Sequence, residues 1–477
     1  MTELFKLTAR AMVNLLGRGE ISPLEAIDAA LARIEATDGD LNALPTLCVE
    51  RARQAARSIA PDDTASGAPG WLAGLPIAVK DLNDVAGVRT TYGSPIFADH
   101  VPTRSDVAVE TLERHGAVVL AKSNTPEFGA GANTFNEVFG ATLNPWNTAK
   151  TCGGSSGGSA VALASGQVWL ATGSDLGGSL RTPASFCSVV GFRPGPGRVA
   201  RGPVADPFDT LSVEGPMGRK VGDVALMLDA MTGPSVEDPL ALPAPAEPFV
   251  KAVDAPVPPA RVGFSRDLGF LPVEAEVADI CEAAAGRFAE LGAAVEEARP
   301  DFSDAMDIFQ VLRAAKFAFA REPLLRNHRE SLKPEMVWNI EKGLALTPGE
   351  IFRAVSARAR LVQRVAAFFG PYDLLLSPAA SVPPFDVGHR YVEEIGGHRF
   401  DNYIDWIAIT YTITLTSCPA LVIPCGFTAQ GLPVGLQMVG RPRGEAALLS
   451  AAALAEDVYA LGAEVPIDPR SPSQARS

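Results

Sequence analysis

Gly153-Gly154-Ser155-Ser156-Gly157-Gly158-Ser159-Ala160 runs directly into an apolar segment. Glycine permits tight backbone, and the start of a helix presents unpaired N–H groups. A flexible linker is the plainest reading of such a composition, but the helix expected immediately after it argues against one. A phosphate loop would need GxxxxGK[ST], which is not found nearby. A nucleophile elbow, GxSxG, fits in two frames, centred on Ser155 or Ser156. An elbow follows a strand, however, and Asn144-Pro145-Trp146-Asn147-Thr148 does not read as one.

On both sides of the block, short apolar runs alternate with helical stretches. Val118-Val119-Leu120-Ala121 follows a helix expected to stop at Gly116, and Val168-Trp169-Leu170-Ala171 follows one expected to stop at Gly166. Such alternation predicts an α/β fold with a large, mixed, mostly parallel twisted sheet flanked by helices. Upstream, Ser22-Pro23-Leu24-Glu25 is a capping box, and Leu24, Ile27, Leu31 and Ile34 recur at helical spacing. Residues 61–70 read as a polar loop and 234–259 as a proline-rich crossing segment. Residues 274–291 and 303–330 read as helices, and Thr347-Pro348-Gly349-Glu350 opens another that should run to about Gly370. Strands are expected at 373–376, 421–425 and 434–439. The expected organisation is a single domain carrying a helical insertion. A helical region, 1–70, packs on a core of 71–235. A linker and mostly helical insertion, 236–360, lines the substrate pocket; 361–465 completes the core, and 466–477 is a tail.

Two further segments carry chemistry. In Gly74-Leu75-Pro76-Ile77-Ala78-Val79-Lys80-Asp81 a lysine closes an apolar run. Desolvation there disfavours the ammonium, and a neutral lysine is a competent general base; the bland alternative is a strand end reaching solvent. In Gly173-Ser174-Asp175-Leu176-Gly177-Gly178-Ser179-Leu180-Arg181 the glycines let N–H groups converge beside a hydroxyl. A nucleophile next to an oxyanion hole needs that arrangement, although a Gly-Gly-Ser turn alone is commonly only a turn.

Taken together, in this order, with Ser179 lying 24 positions after Ser155, the three segments resemble the amidase signature family. The likeness extends through Asn144-Pro145-Trp146-Asn147, Pro183-Ala184-Ser185-Phe186-Cys187 and Gly431-Leu432-Pro433-Val434-Gly435-Leu436-Gln437. It spans about residues 1–240 and 360–460, and the fold it implies agrees with the pattern reading. By that resemblance Ser179 matches the acyl-forming nucleophile and Lys80 the base. Ser155 matches a bridging serine held by a cis peptide bond after Gly154. The oxyanion hole maps onto the backbone N–H groups of Leu176, Gly177, Gly178 and Ser179. Ser174, Ser188 and Arg193-Pro194-Gly195 depart from the usual pattern without touching the triad. Arg181 is expected to hold the turn through an ion pair, with Asp175 as its partner, rather than to anchor an acidic substrate, which is the alternative.

Composition narrows the partners. The 477 residues carry 41 Lys and Arg against 55 Asp and Glu, a net charge of −14 that disfavours nucleic acid and anionic membrane. Six scattered cysteines without CxxC spacing fit neither a zinc ribbon nor a disulfide framework. No apolar run approaches the ~20 residues of a membrane helix, so a cytoplasmic location is expected. No metal or organic cofactor is implied. The five histidines lie outside all three segments and read as solvated surface. The leading expectation is a stand-alone amidase, monomer or homodimer, hydrolysing a neutral, fairly hydrophobic amide, anilide or carbamate (urethane). Its pocket wall is expected from 128–133, with Phe128 and Gly129 nearest the substrate, and from insertion residues such as Phe309, Phe317, Phe319, Met336 and Trp338. The alternatives are the amidase subunit of a glutamine-dependent tRNA amidotransferase, a GxSxG serine esterase, and an inactive binding protein.

Overall fold

Pro76–Lys80 is a run of five buried residues, and it forms a strand near one end of an eleven-stranded sheet. The computed structural model describes residues 3–59, 68–461 and 464–473. Most of the polar loop expected at 61–70, and the end of the 466–477 tail, lie outside the described residues.

The strands of this sheet are β1 (Thr46–Leu47), β2 (Pro76–Lys80), β3 (Val118–Ser123), β4 (Leu170–Asp175), β5 (Val190–Arg193) and β6 (Val213–Gly218). They continue with β7 (Arg261–Phe264), β8 (Ala294–Glu297), β9 (Leu374–Pro378), β10 (Ala420–Phe427) and β11 (Pro433–Gly440). Their order across the sheet is β1-β3-β2-β4-β6-β5-β10-β11-β9-β7-β8. Parallel pairing is confined to two regions, β3-β2-β4 and β9-β7-β8. The joints between and outside them are antiparallel, so the sheet is mixed, as expected, but not mostly parallel. Local connections explain the difference. β10 and β11 are linked by a tight turn closed by the Gly431 N–H to Thr428 O bond of 2.8 Å. A short turn permits only antiparallel return, whereas parallel neighbours need a crossover of a dozen residues or more.

Both capping boxes form, at Ser22 with Glu25 and at Thr347 with Glu350, and open the Pro23–Leu41 and Pro348–Phe368 helices. Within 236–360, Ala305–His328 and Pro334–Leu344 are helices. The same stretch also supplies β7 and β8, which the pattern reading does not contain. Ala294–Glu297 is mostly exposed and acidic, and is a strand through its pairing with β7 rather than through any apolar pattern. Among the described residues, no helix is long and apolar enough to cross a membrane.

The serine–glycine block enters the Gly157–Ala164 helix, which is buried along its whole length. Glycine is required there by close approach. A Cβ on Gly158 would lie 2.4 Å from the Asn124 backbone N and 2.6 Å from Ala43 O. This contact brings the start of the helix against the end of β3 and the segment that leads into β1.

Candidate active site

Lys80 is the last residue of β2, and its backbone N–H donates to Thr172 Oγ1 of β4 at 2.9 Å. Its fully buried Nζ lies 2.7 Å from Ser155 Oγ, 2.9 Å from Ser156 Oγ and 3.0 Å from Ser174 Oγ. All three acceptors are hydroxyls. Burial drives the lysine down to about 7, against the opposing pull of the Glu214 and Asp175 carboxylates. Lys122 on β3 is equally buried but ion-pairs with Asp81 at 3.1 Å and donates to Asn83 O and Thr90 Oγ1, each at 2.7 Å. The lysine at the serines therefore differs from its neighbour in having no carboxylate partner.

The Gly154–Ser155 peptide bond is cis, as the resemblance implies. The Ser156 N–H donates to Ser179 O at 3.2 Å, which ties the serine–glycine block to the Gly-Gly-Ser turn. Asp175, at the end of β4, organises that turn. Its carboxylate accepts from the N–H groups of Gly178 (2.9 Å) and Leu180 (3.1 Å) and from Arg181 Nε (3.0 Å) and Nη2 (2.8 Å). Arg193 Nη1 approaches the same carboxylate at 3.2 Å. Burial alone would raise this carboxyl, but the two guanidinium groups hold it well below the ordinary carboxylate range. Arg181 also donates to Thr410 O, Gln437 Oε1 and Thr414 Oγ1, so it anchors the turn, as expected.

One N–H group of the expected oxyanion hole is engaged within the turn. The Gly178 N–H is committed to Asp175 and is not available to a substrate. Among the described residues, the N–H groups of Leu176, Gly177 and Ser179 have no acceptor.

The expected walls are partly brought to the serines. A Cβ on Gly129 would lie 3.3 Å from Ser155 Oγ, so this glycine borders the site. The Phe128 ring turns instead into a cluster with Tyr92 and Phe97, at 6.5 and 6.0 Å between centroids, with Arg321 4.8 Å above it. Phe309 Cζ lies 3.5 Å from the Cβ position of Gly177, and its ring stacks on Tyr411 at 4.0 Å. Met336 is core, Phe317 packs beside it, Trp338 meets Tyr403, and Phe319 points to solvent.

Three readings of the sequence need correction. Asn147–Thr151 is a strand, paired with Leu143–Asn144, so the block does follow a strand. The turn between them is set by Asn144 Oδ1, which accepts the Trp146 N–H at 3.0 Å. The elbow still lacks its base, because none of the five histidines bonds to Ser155, Ser156 or Ser179. His100 and His115 are half-buried rather than solvated: His100 stacks on Tyr92 at 5.8 Å, and His115 Nδ1 lies 2.9 Å from Thr111 O. Thr172 carries no role in the sequence reading, and Ser174, expected there not to touch the triad, instead accepts from Lys80 Nζ at 3.0 Å. Their signal is period-two alternation on β4, which places both hydroxyls on the face toward Lys80.

The sequence matches the Amidase family over residues 25–449. It is 34% identical over 475 residues to the acylamidase of Rhodococcus erythropolis, covering 98% of this chain and 99% of that one. It is 36% identical to a glutamyl-tRNA(Gln) amidotransferase subunit from Moorella thermoacetica, covering 94% and 96%. Among solved structures, 6-aminohexanoate cyclic dimer hydrolase superposes with a TM-score of 0.87 at 25% identity, covering 98% and 99%. A bacterial aryl acylamidase of the amidase signature family does so with 0.86 at 28% identity, covering 97% and 99%. The chain belongs to the amidase signature family and is a hydrolase of carbon–nitrogen bonds.

Proposed function

We propose that the chain is a stand-alone amidase working through an acyl-enzyme on Ser179, with Ser155 as proton relay and Lys80 as base. The observation that carries this reading is the buried Lys80 Nζ, 2.7 Å from Ser155 Oγ and brought down to about 7. A neutral lysine accepts the Ser155 proton as Ser155 takes that of Ser179, and Ser179 Oγ attacks the carbonyl carbon. The oxyanion that forms is received by the N–H groups of Leu176, Gly177 and Ser179. Collapse breaks the C–N bond while the proton held on Lys80 returns through Ser155 to the leaving nitrogen. Water then attacks the acyl-enzyme by the same relay, releasing the acid and restoring Ser179.

The substrate in this reading is a neutral, fairly apolar amide, anilide or carbamate (urethane). Support comes from the stacked Phe309 and Tyr411 rings, the first of which abuts Gly177. The similarity to acylamidases points the same way. The enzyme acts in the cytoplasm as a monomer or homodimer, without nucleic acid or membrane. A hydrolysis panel tests this: a small primary amide, an acetanilide, an aryl carbamate, an ester and glutamine, with wild type beside Ser179→Ala and Lys80→Ala. Turnover of one apolar C–N substrate, lost by orders of magnitude in both variants, is expected; preference for a dicarboxylic or glutamine-like amide would overturn the substrate class.

The second reading is the amidase component of a tRNA amidotransferase, favoured by the 36% identity to a protein of that kind. Glutamine-specific ammonia release, dependent on a partner chain, would replace the first reading by this one.

A further inference from the structure

We propose that Glu214 is a positioning residue for Lys80, its carboxylate fixing the acidic limit of catalysis at the serine block, a role that rests on the reading of Lys80 as base. The sheet carries the geometry. β6 runs antiparallel to β4, with Glu214 directly opposite Ser174. Residues opposite one another share a face, with Cβ atoms about 4.5–5.5 Å apart. Ser174 Oγ accepts from Lys80 Nζ at 3.0 Å, so three adjacent strands set Lys80, Ser174 and Glu214 in a row.

Glu214 Oε2 is buried and has no hydrogen-bond partner among the described residues. A buried carboxylate without a partner is costly unless a cation lies near it. Three cations act on Glu214: Arg201, Lys80 and Lys316. Arg201 acts on it most strongly and has an unpartnered buried Nε, while its Nη1 and Lys316 are engaged elsewhere. Lys316 is held by Asp209 and Ser212 Oγ, and Arg201 lies 3.0 Å from Ser212 O and 3.6 Å from Asp209. Lys80 is the one with no ion pair of its own. From the lysine's side, the two carboxylates that act on it are Glu214 and Asp175, and Asp175 is already neutralised by Arg181 and Arg193.

Asp81 is paired with Lys122. Asp106, held by Asn83 Nδ2 at 3.0 Å, is pushed up to about 7 by burial, with the charges of Glu214 and Asp84 adding. Burial raises the Glu214 carboxyl above its ordinary range, against the pull of Arg201, Lys80 and an Asn83 hydrogen bond that favour its ionised form. Glu214 thus provides the counter-charge for the ammonium that Lys80 becomes when it takes the serine proton, and Ser174 keeps that ammonium aligned.

The sign is fixed. A carboxylate beside Lys80 retains the proton on the lysine to higher pH, so removing its charge lets the lysine become neutral at lower pH. The test is the rate of Ser179 labelling by a fluorophosphonate between about pH 5 and pH 9, which needs the nucleophile and base but no natural substrate. In Glu214→Gln, and in Glu214→Met, which buries no polar atom, the acid limb should move down by about one pH unit. Glu214→Asp should keep the limb near the wild-type position. Unmoved limbs in both neutral variants, with only a slower rate, would reduce Glu214 to a structural residue and overturn the proposal. Failure of the site reading is read separately, as labelling that survives Ser179→Ala; it would overturn the proposal as well.

Discussion

Replacing Asp175 by alanine should destabilise the fold more than any other single change at the site. In the folded chain its carboxylate receives two backbone N–H groups and two guanidinium groups, and Asp175, Arg181 and Arg193 are all fully buried. Breaking a buried ion pair from one side leaves an uncompensated charge and costs about 3–5 kcal/mol. Here two arginines are stripped at once. Part of the loss is cushioned, because Arg181 keeps Thr410 O, Gln437 Oε1 and Thr414 Oγ1, and Arg193 keeps Leu211 O at 3.0 Å. A net loss of about 4 kcal/mol is therefore expected, read from urea unfolding followed by tryptophan fluorescence. pH adds a second signature. The folded carboxyl is held below its ordinary range, so its contribution is complete above about pH 4 and is lost as pH falls through the folded value. Wild type and variant should differ fully at neutral pH and converge only in strong acid. A difference below about 1 kcal/mol at pH 7, the size of an ordinary surface ion pair, would refute the view that this carboxylate holds the turn.

Other outcomes follow from the same geometry. The acid limb of kcat/KM in wild type should have its midpoint near pH 7, because burial brings Lys80 down to about 7 and only the neutral amine accepts a proton; a limb absent in a pH–rate profile would contradict this. Gly178→Ala should abolish activity, since its φ is +119° and a Cβ would sit 2.2 Å from Thr410 Oγ1; near-normal hydrolysis by a folded variant would be the contrary result. Thr347→Ala should cost about 1 kcal/mol of stability through loss of the helix cap while leaving turnover unchanged, as thermal melting and the substrate panel together would read.

What the sequence discloses and what it hides have different physical origins. Lys80, Ser155 and the Gly177–Gly178–Ser179 turn are legible because they sit in local motifs whose spacing is chemical. The β2-β3-β4 region is legible for the same kind of reason, since its helices and strands alternate along the chain. The antiparallel joints are not, because β6 lies between β4 and β5 in space but after both in sequence. β8 is hidden because its acidic, exposed residues carry no strand pattern. Ser174 and Glu214 carry no signal singly; only the register between β4 and β6 makes them neighbours. The use of the Gly178 N–H by Asp175 is likewise a matter of three-dimensional turn geometry. Ser188 occupies φ +58°, a left-handed conformation that its motif does not announce.

The most direct test is to label the enzyme with a fluorophosphonate and map the adduct by peptide mass spectrometry. The account predicts modification at Ser179, its loss in Ser179→Ala and strong slowing in Lys80→Ala. An adduct on Ser156 that persists in Ser179→Ala would contradict it and return the site to an elbow mechanism.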